Sequence, residues 1–98
     1  MSEITIKLDS PVMHGDKELT SLTLRKLRTG DIVKTGYPYS TGLGDNDEIT
    51  VNIKPKTIAK YIVLLGNVPP SVVDKLDFAD FNKCQAEIMT FFGKSAAG

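Results

Sequence analysis

The sequence has little that reactive chemistry needs. It holds one cysteine, Cys84, and one histidine, His14. A single cysteine excludes an internal disulfide and any zinc site built on cysteines, and it fits a reducing compartment. Net charge is also absent, with 12 basic residues against 12 acidic ones. The whole chain therefore carries no built-in steering toward nucleic acid or anionic lipid. Long apolar runs are missing too, the longest aliphatic stretch being Ile62 to Leu65. That is far short of a membrane span or a signal-peptide core. What remains is an ordinary mixture, 41% hydrophobic and 24% charged over 98 residues. It suits one small globular domain, which the pattern places over residues 1–93, with 94–98 as a flexible tail.

The pattern along the chain predicts α+β. Ile4, Ile6 and Leu8 alternate with Thr5 and Lys7, the mark of a half-buried strand. Pro11 falls near its far end, and His14-Gly15-Asp16 reads as a turn. Leu22 and Leu24 alternate in the next segment, while Leu19 is out of phase, which predicts a bulge near Thr20-Ser21. Together these make an N-terminal β-hairpin with a loop longer than two residues. Thr29 or Asp31 is placed to cap a short helix over about 30–36 that Gly36 ends. Tyr37 to Asn46 reads as a loop because proline, serine and glycine punctuate it. Ile49, Val51 and Ile53 alternate as a short third strand.

The C-terminal half is helical. Pro55 opens a helix whose apolar positions Ile58, Tyr61, Ile62 and Leu65 fall at i, i+3, i+4 and i+7. Gly66-Asn67 stops it, and Pro70 or Ser71 starts a short helix presenting Val72, Val73 and Leu76. Asp77 is placed as the N-cap of a last helix over about 78–92, with Asp80 in an acidic capping box and Gly93 as terminator. Three to four short helices thus pack on the hairpin.

No group set points to catalysis or to a metal. Cys84 lies on the apolar side of the last helix, where a small buried hydrophobe is its usual fate. His14 sits in a turn, so a Cys–His pair lacks the geometry of an activated nucleophile. Asp45, Asp47 and Glu48 form the densest acidic cluster, but no glycine stands where a calcium loop requires one. Gly42-x-Gly44 lacks the remainder of a phosphate cradle. Arg25, Lys26 and Arg28 form one basic cluster, and Lys54, Lys56 and Lys60 another. Neither comes with an aromatic nucleic-acid-binding strand or zinc-finger spacing. The residues imply no enzyme, no cofactor, no metal and no small-molecule substrate. The final helix offers something else. Its apolar set exceeds what so small a domain encloses, and contiguous exposed apolar groups mark partner sites. Phe78, Phe81, Ile88, Phe91 and Phe92 are the candidate partner-binding residues.

One run is more specific than any of these features. From Gly66 to Phe81 the sequence reads gly-x-x-pro-pro-x-val-x-x-x-leu with Asp80-Phe81 following. It is flanked by Ile4-Thr5-Ile6-Lys7-Leu8, Leu22-Thr23-Leu24-Arg25, Thr29-Gly30-Asp31 and a closing Phe91-Phe92-Gly93. In these segments the chain resembles the small tail-assembly chaperones of contractile-tailed phages and prophages, the group that includes Mu-like tail-assembly proteins. Residues 37–53 have no counterpart in that pattern. The resemblance implies a protein of the bacterial host cytoplasm that binds the tape-measure protein, keeps its apolar helices soluble, and is absent from the finished tail; the apolar patch of the final helix would serve either that client or self-association. It also implies a longer product made by a −1 ribosomal frameshift. Phe91-Phe92 can be encoded by six consecutive uridines, a slippery run. The alternatives are a small prophage-encoded DNA-binding or regulatory module, and a minor structural tail component.

Overall fold

The computed structural model describes residues 3–97. The order is β1 (Ile4–His14), β2 (Lys17–Leu24), α1 (Thr29–Thr35), β3 (Tyr39–Leu43), a 3-10 turn (Asp45–Asp47), β4 (Ile49–Ile53), α2 (Pro55–Gly66), α3 (Pro70–Lys75) and α4 (Phe78–Ala97). The fold is α+β, as the sequence pattern predicts. Two separate antiparallel hairpins, β1–β2 and β3–β4, take the place of a single sheet.

The first hairpin supplies one wall of the core. Ile4 pairs with Leu24 and Ile6 with Leu22, so the alternating aliphatics share one face. Ile6, Leu8, Leu22 and Leu24 are buried beneath α2, α3 and α4. His14 pairs with Lys17 across a two-residue turn, shorter than the expected loop. Gly15 has φ 65 at the first central position, where a type II′ turn requires glycine. The register breaks between Lys7 and Val12, so the extra residues sit on β1 opposite Thr20. Pro11 lies in that irregular stretch, where no ladder donor is needed from it.

The expected third strand is present over Ile49–Ile53, but it pairs with Tyr39–Leu43, which the punctuating residues mark as loop. On an exposed two-stranded ribbon, serine and glycine face water at little cost, so cross-strand pairing prevails over their low propensity. The tip closes through the Gly44 N–H donating to the Glu48 carbonyl at 2.7 Å, with Asn46 and Asp47 in the left-handed region.

The helices follow their sequence signals closely. α2 starts with Pro55 at its first turn and ends where Asn67 turns left-handed (φ 53, ψ 48). The Val68 N–H then reaches back to the Val63 carbonyl, a Schellman closure. Ile58, Tyr61, Ile62 and Leu65 are its buried stripe, as the spacing predicts. The Leu65 carbonyl accepts from the Arg25 N–H at 3.0 Å, which docks the end of α2 on the end of β2. A Cβ on Gly66 would stand 3.3 Å from a methyl of Leu24, so the close approach favours glycine there. At α4 the Asp77 carboxylate caps the Ala79 N–H at 3.2 Å. Gly93 does not end the helix. It remains inside α4, which continues to Ala97, because helix interiors tolerate one glycine at a cost of about 1 kcal/mol.

Candidate partner-binding surfaces

Two buried carboxylates hold the irregular points of the scaffold. Asp31 sits in the first turn of α1 and accepts both guanidinium nitrogens of Arg25, at 2.8 and 2.9 Å, and the Arg28 N–H at 2.8 Å. The Arg25 hydrogen bond holds the Asp31 carboxyl below the usual range despite burial. Asp31 therefore caps from inside the helix, and neither it nor Thr29 occupies the N-cap, which is Arg28. Arg25 is also withdrawn from the basic cluster. Asp80 is fully buried, and accepts the Asp9 N–H at 2.8 Å and the Ser10 N–H at 3.0 Å. Those two amides lie in the register break of β1 and have lost their ladder partners. Lys83 bridges Asp9 at 2.9 Å and Asp80 at 3.5 Å, and donates to the Lys7 carbonyl. Asp80 thus pins the first hairpin to α4, a different duty from the capping box expected of it.

The five candidate residues of α4 part company. Phe78 is 76% exposed. Phe81 and Phe91 are half-buried against the core. Ile88 and Phe92 are core residues, 0% and 4% exposed, which corrects the expectation that they belong to a surface patch. The reason for Phe92 is aromatic. Its ring lies 5.8 Å from Tyr37, 6.0 Å from Tyr39 and 5.5 Å from Tyr61. Edge and tilted contacts of this kind are favourable. Tyr61 in turn donates its hydroxyl to the Gly36 carbonyl. Packing therefore accounts for Phe92 independently of any codon preference.

Two further surfaces are apolar and unpartnered. In the second hairpin, Tyr39, Thr41 and Leu43 pair with Ile53, Val51 and Ile49, so these six share one face. Ser40, Gly42, Thr50 and Asn52 make the other. Leu43 is 74% exposed and Ile49 75%, and beyond Tyr39 the ribbon stands clear of the helices as an arm. The molecule is accordingly elongated, 52 × 27 × 22 Å. The second surface is a groove of about 440 Å³ between α1, α2 and α3. Ala59, Val63, Leu64, Pro70 and Val73 give it an apolar lining, with Lys34, Thr35, Lys60 and Asp74 also bordering it. From sequence the strand 49–53 of the arm is legible, while its partner strand and the groove are not. The alternation at 39, 41 and 43 was a signal for the arm; the groove had none, because it forms only where three helices meet.

The family described as phage tail assembly chaperone proteins, E, or 41 or 14, matches residues 5–93. The chain belongs to this family. No curated protein and no solved structure matches it. A tail assembly chaperone acts through protein contacts, so its apolar surfaces are its candidate sites. The matched stretch takes in the arm, although residues 37–53 lie outside the motifs that carry the resemblance. The acidic cluster of the chaperone, Asp45, Asp47 and Glu48, sits exposed at the arm tip. Among the described residues no group of His, Cys, Asp and Glu is arranged to hold a metal ion. No helix of the described residues is long and apolar enough to cross a membrane. Cys84 is buried, and burial raises its thiol pKa to about 11, the wrong direction for a nucleophile.

Proposed function

We propose that this chaperone binds the tape-measure protein in the host cytoplasm, keeps its apolar helices from aggregating, and leaves before the tail is complete. The observation that carries this reading is Phe78, a large aromatic standing 76% exposed on the first turn of α4 in a member of a tail-assembly chaperone family. Phe81 lies one turn along the same helix and is half-buried, so the two form a small apolar platform for an amphipathic client helix. Phe91, the third candidate with exposed surface, is half-buried near the far end of α4 and lies apart from that platform. Each contact is small, and affinity for a long client comes from several copies engaging it at once. The role is non-enzymatic and needs no cofactor.

Co-expression tests it. Phe78→Ser should leave the fold unchanged, because the side chain is outside the core, yet let the tape-measure protein precipitate. An unchanged soluble yield of the client would remove α4 as the gripping surface. Purified finished tails should lack the chain by mass spectrometry, which separates a chaperone from a structural tail component. A DNA-binding module would instead show affinity falling steeply with salt. Arg25, engaged by Asp31, is already withdrawn from one of the two basic clusters such a module would use.

A further inference from the structure

We propose that the arm is an assembly device. Its apolar face seats in the α1–α2–α3 groove of a second copy of this chain. The arm cannot be explained by its own chain. A two-stranded ribbon is marginal in water, and packing on a hydrophobic partner is what makes one stable. Here the apolar face of Leu43, Ile49 and Val51 has none, although these residues are 74%, 75% and 54% exposed. Patches of this kind on a small domain mark an interface.

The groove supplies the matching chemistry. Its floor is aliphatic, through residues such as Val63, Leu64 and Val73. Lys34 and Lys60 stand at its border and make no ion pair among the described residues. The arm ends in Asp45, Asp47 and Glu48, which likewise make none. An apolar ribbon with an acidic tip thus meets an apolar groove with two free lysines. Asp74 is the one acid at that border. Complementary charge sets the register of such a contact, and the apolar face supplies its persistence.

A face-to-face pairing of two arms is the poorer solution. The arm is five residue pairs long, about 17 Å at strand rise. Stable interfaces bury about 800 Å² on each partner; an arm pair gives each copy one small face, whereas arm and groove give each copy two contacts, one through each surface. Two arms together would also bring two acidic tips or flanks into one contact and leave both grooves empty. Arm and groove are different surfaces, so the contact is heterologous and can repeat from copy to copy. Repetition would array Phe78 along a client, but the association itself does not depend on any client.

Sedimentation velocity over a concentration series tests this on the whole chain. The wild type should show a mass at least twice the 10.7 kDa of one chain. Val51→Lys in the arm should weaken association by about tenfold or more, and so should the pair Lys34→Glu with Lys60→Glu at the groove. All these side chains are exposed, so circular dichroism and melting temperature should stay as in the wild type. The decisive arm mixes the two variants. The Val51→Lys chain keeps a good groove and the lysine-reversed chain keeps a good arm, so the mixture should associate although neither does alone. Adding Asp45→Lys and Glu48→Lys to the lysine-reversed chain should restore its self-association. A wild type that stays monomeric throughout overturns the proposal. So does an arm variant that dissociates while the groove variant does not, which would mean arms pair with arms.

Discussion

Asp80 and Asp31 are the buried acids of the described residues, and each stands where the backbone departs from regular pairing. Asp80 takes both amides that the register break in β1 leaves without strand partners. Those hydrogen bonds hold its carboxyl below the usual carboxylate range. A depressed pKa in the folded state gives stability that is fully present above the unfolded value, about 3.9, and is lost as pH falls through the folded value. The melting temperature should therefore drop as pH is lowered below about 5. Asp80→Asn should melt lower at neutral pH, since an amide offers one acceptor oxygen to two donors, and its acid dependence should be shallower. Parallel acid dependence of the two proteins would assign the effect elsewhere. From sequence, Asp80 reads correctly as a residue of the first helical turn, but its partners lie some 70 positions away, and no local pattern reports them. Cys84 is the easier residue. Its position on the apolar stripe predicts burial, and the structure has it fully buried with its thiol pushed up to about 11. At pH 7 the thiolate fraction is then about one part in ten thousand. Iodoacetamide should label it slowly in the folded protein and rapidly in denaturant; equal rates would show that the α4 core is open.

The elements divide into those that bury a face and those that do not. The first hairpin, α2 and α3 were legible because burial imposes a period on the sequence, two residues for strands and about 3.6 for helices. The stops were legible for stereochemical reasons, as at Asn67 and Gly36, where the chain turns to positive φ. The arm obeys neither influence. Its strand β3 carries Ser40 and Gly42 on the wet face, and past Tyr39 no core contact disciplines the other, so only the alternation of Tyr39, Thr41 and Leu43 remained to find it. The two kinds of hairpin should respond oppositely to mutation. Ile6 is 6% exposed in the core, and Ile6→Ala should cost about 2–4 kcal/mol in chemical denaturation. Val51 is 54% exposed on the arm, and Val51→Thr should change monomer stability by no more than about 0.5 kcal/mol. Similar losses at both positions would mean that the arm is part of the cooperative core.

At the scale of the molecule, the chaperone is a compact body of helices on the first hairpin with a ribbon projecting from it, and the join between them is narrow. The Lys54 N–H donates to the Pro38 carbonyl at 2.8 Å, so the two ends of the arm are already brought together at its base. Pro38 is fully buried and Tyr39 packs on Phe92, which fixes that base to the end of α4. Beyond it, the side chains of the arm contribute almost nothing to the core. The candidate client residues on α4 were partly legible, because helical spacing identifies the stripe but does not say which of its members meets solvent. Ile88 and Phe92 turned inward and Phe78 outward. The arm and groove belong to a level of organisation that appears only when elements are assembled. This anatomy predicts that the arm can be removed as a unit. Replacing residues 41–51 with a two-residue Asn-Gly turn, a good hairpin closer, keeps Pro38, Tyr39, Ile53 and Lys54 in register. The shortened chain should retain its helical circular dichroism. Its melting temperature should lie within about 4–8 °C of the full chain's, the shift that 1 kcal/mol produces at this size. Client rescue through Phe78 should persist per chain but require more chaperone, because avidity falls when copies no longer join. A shortened chain that fails to fold would show that the ribbon is structural. One that folds, stays monomeric and still rescues the client at the original dose would separate the arm from chaperone action altogether.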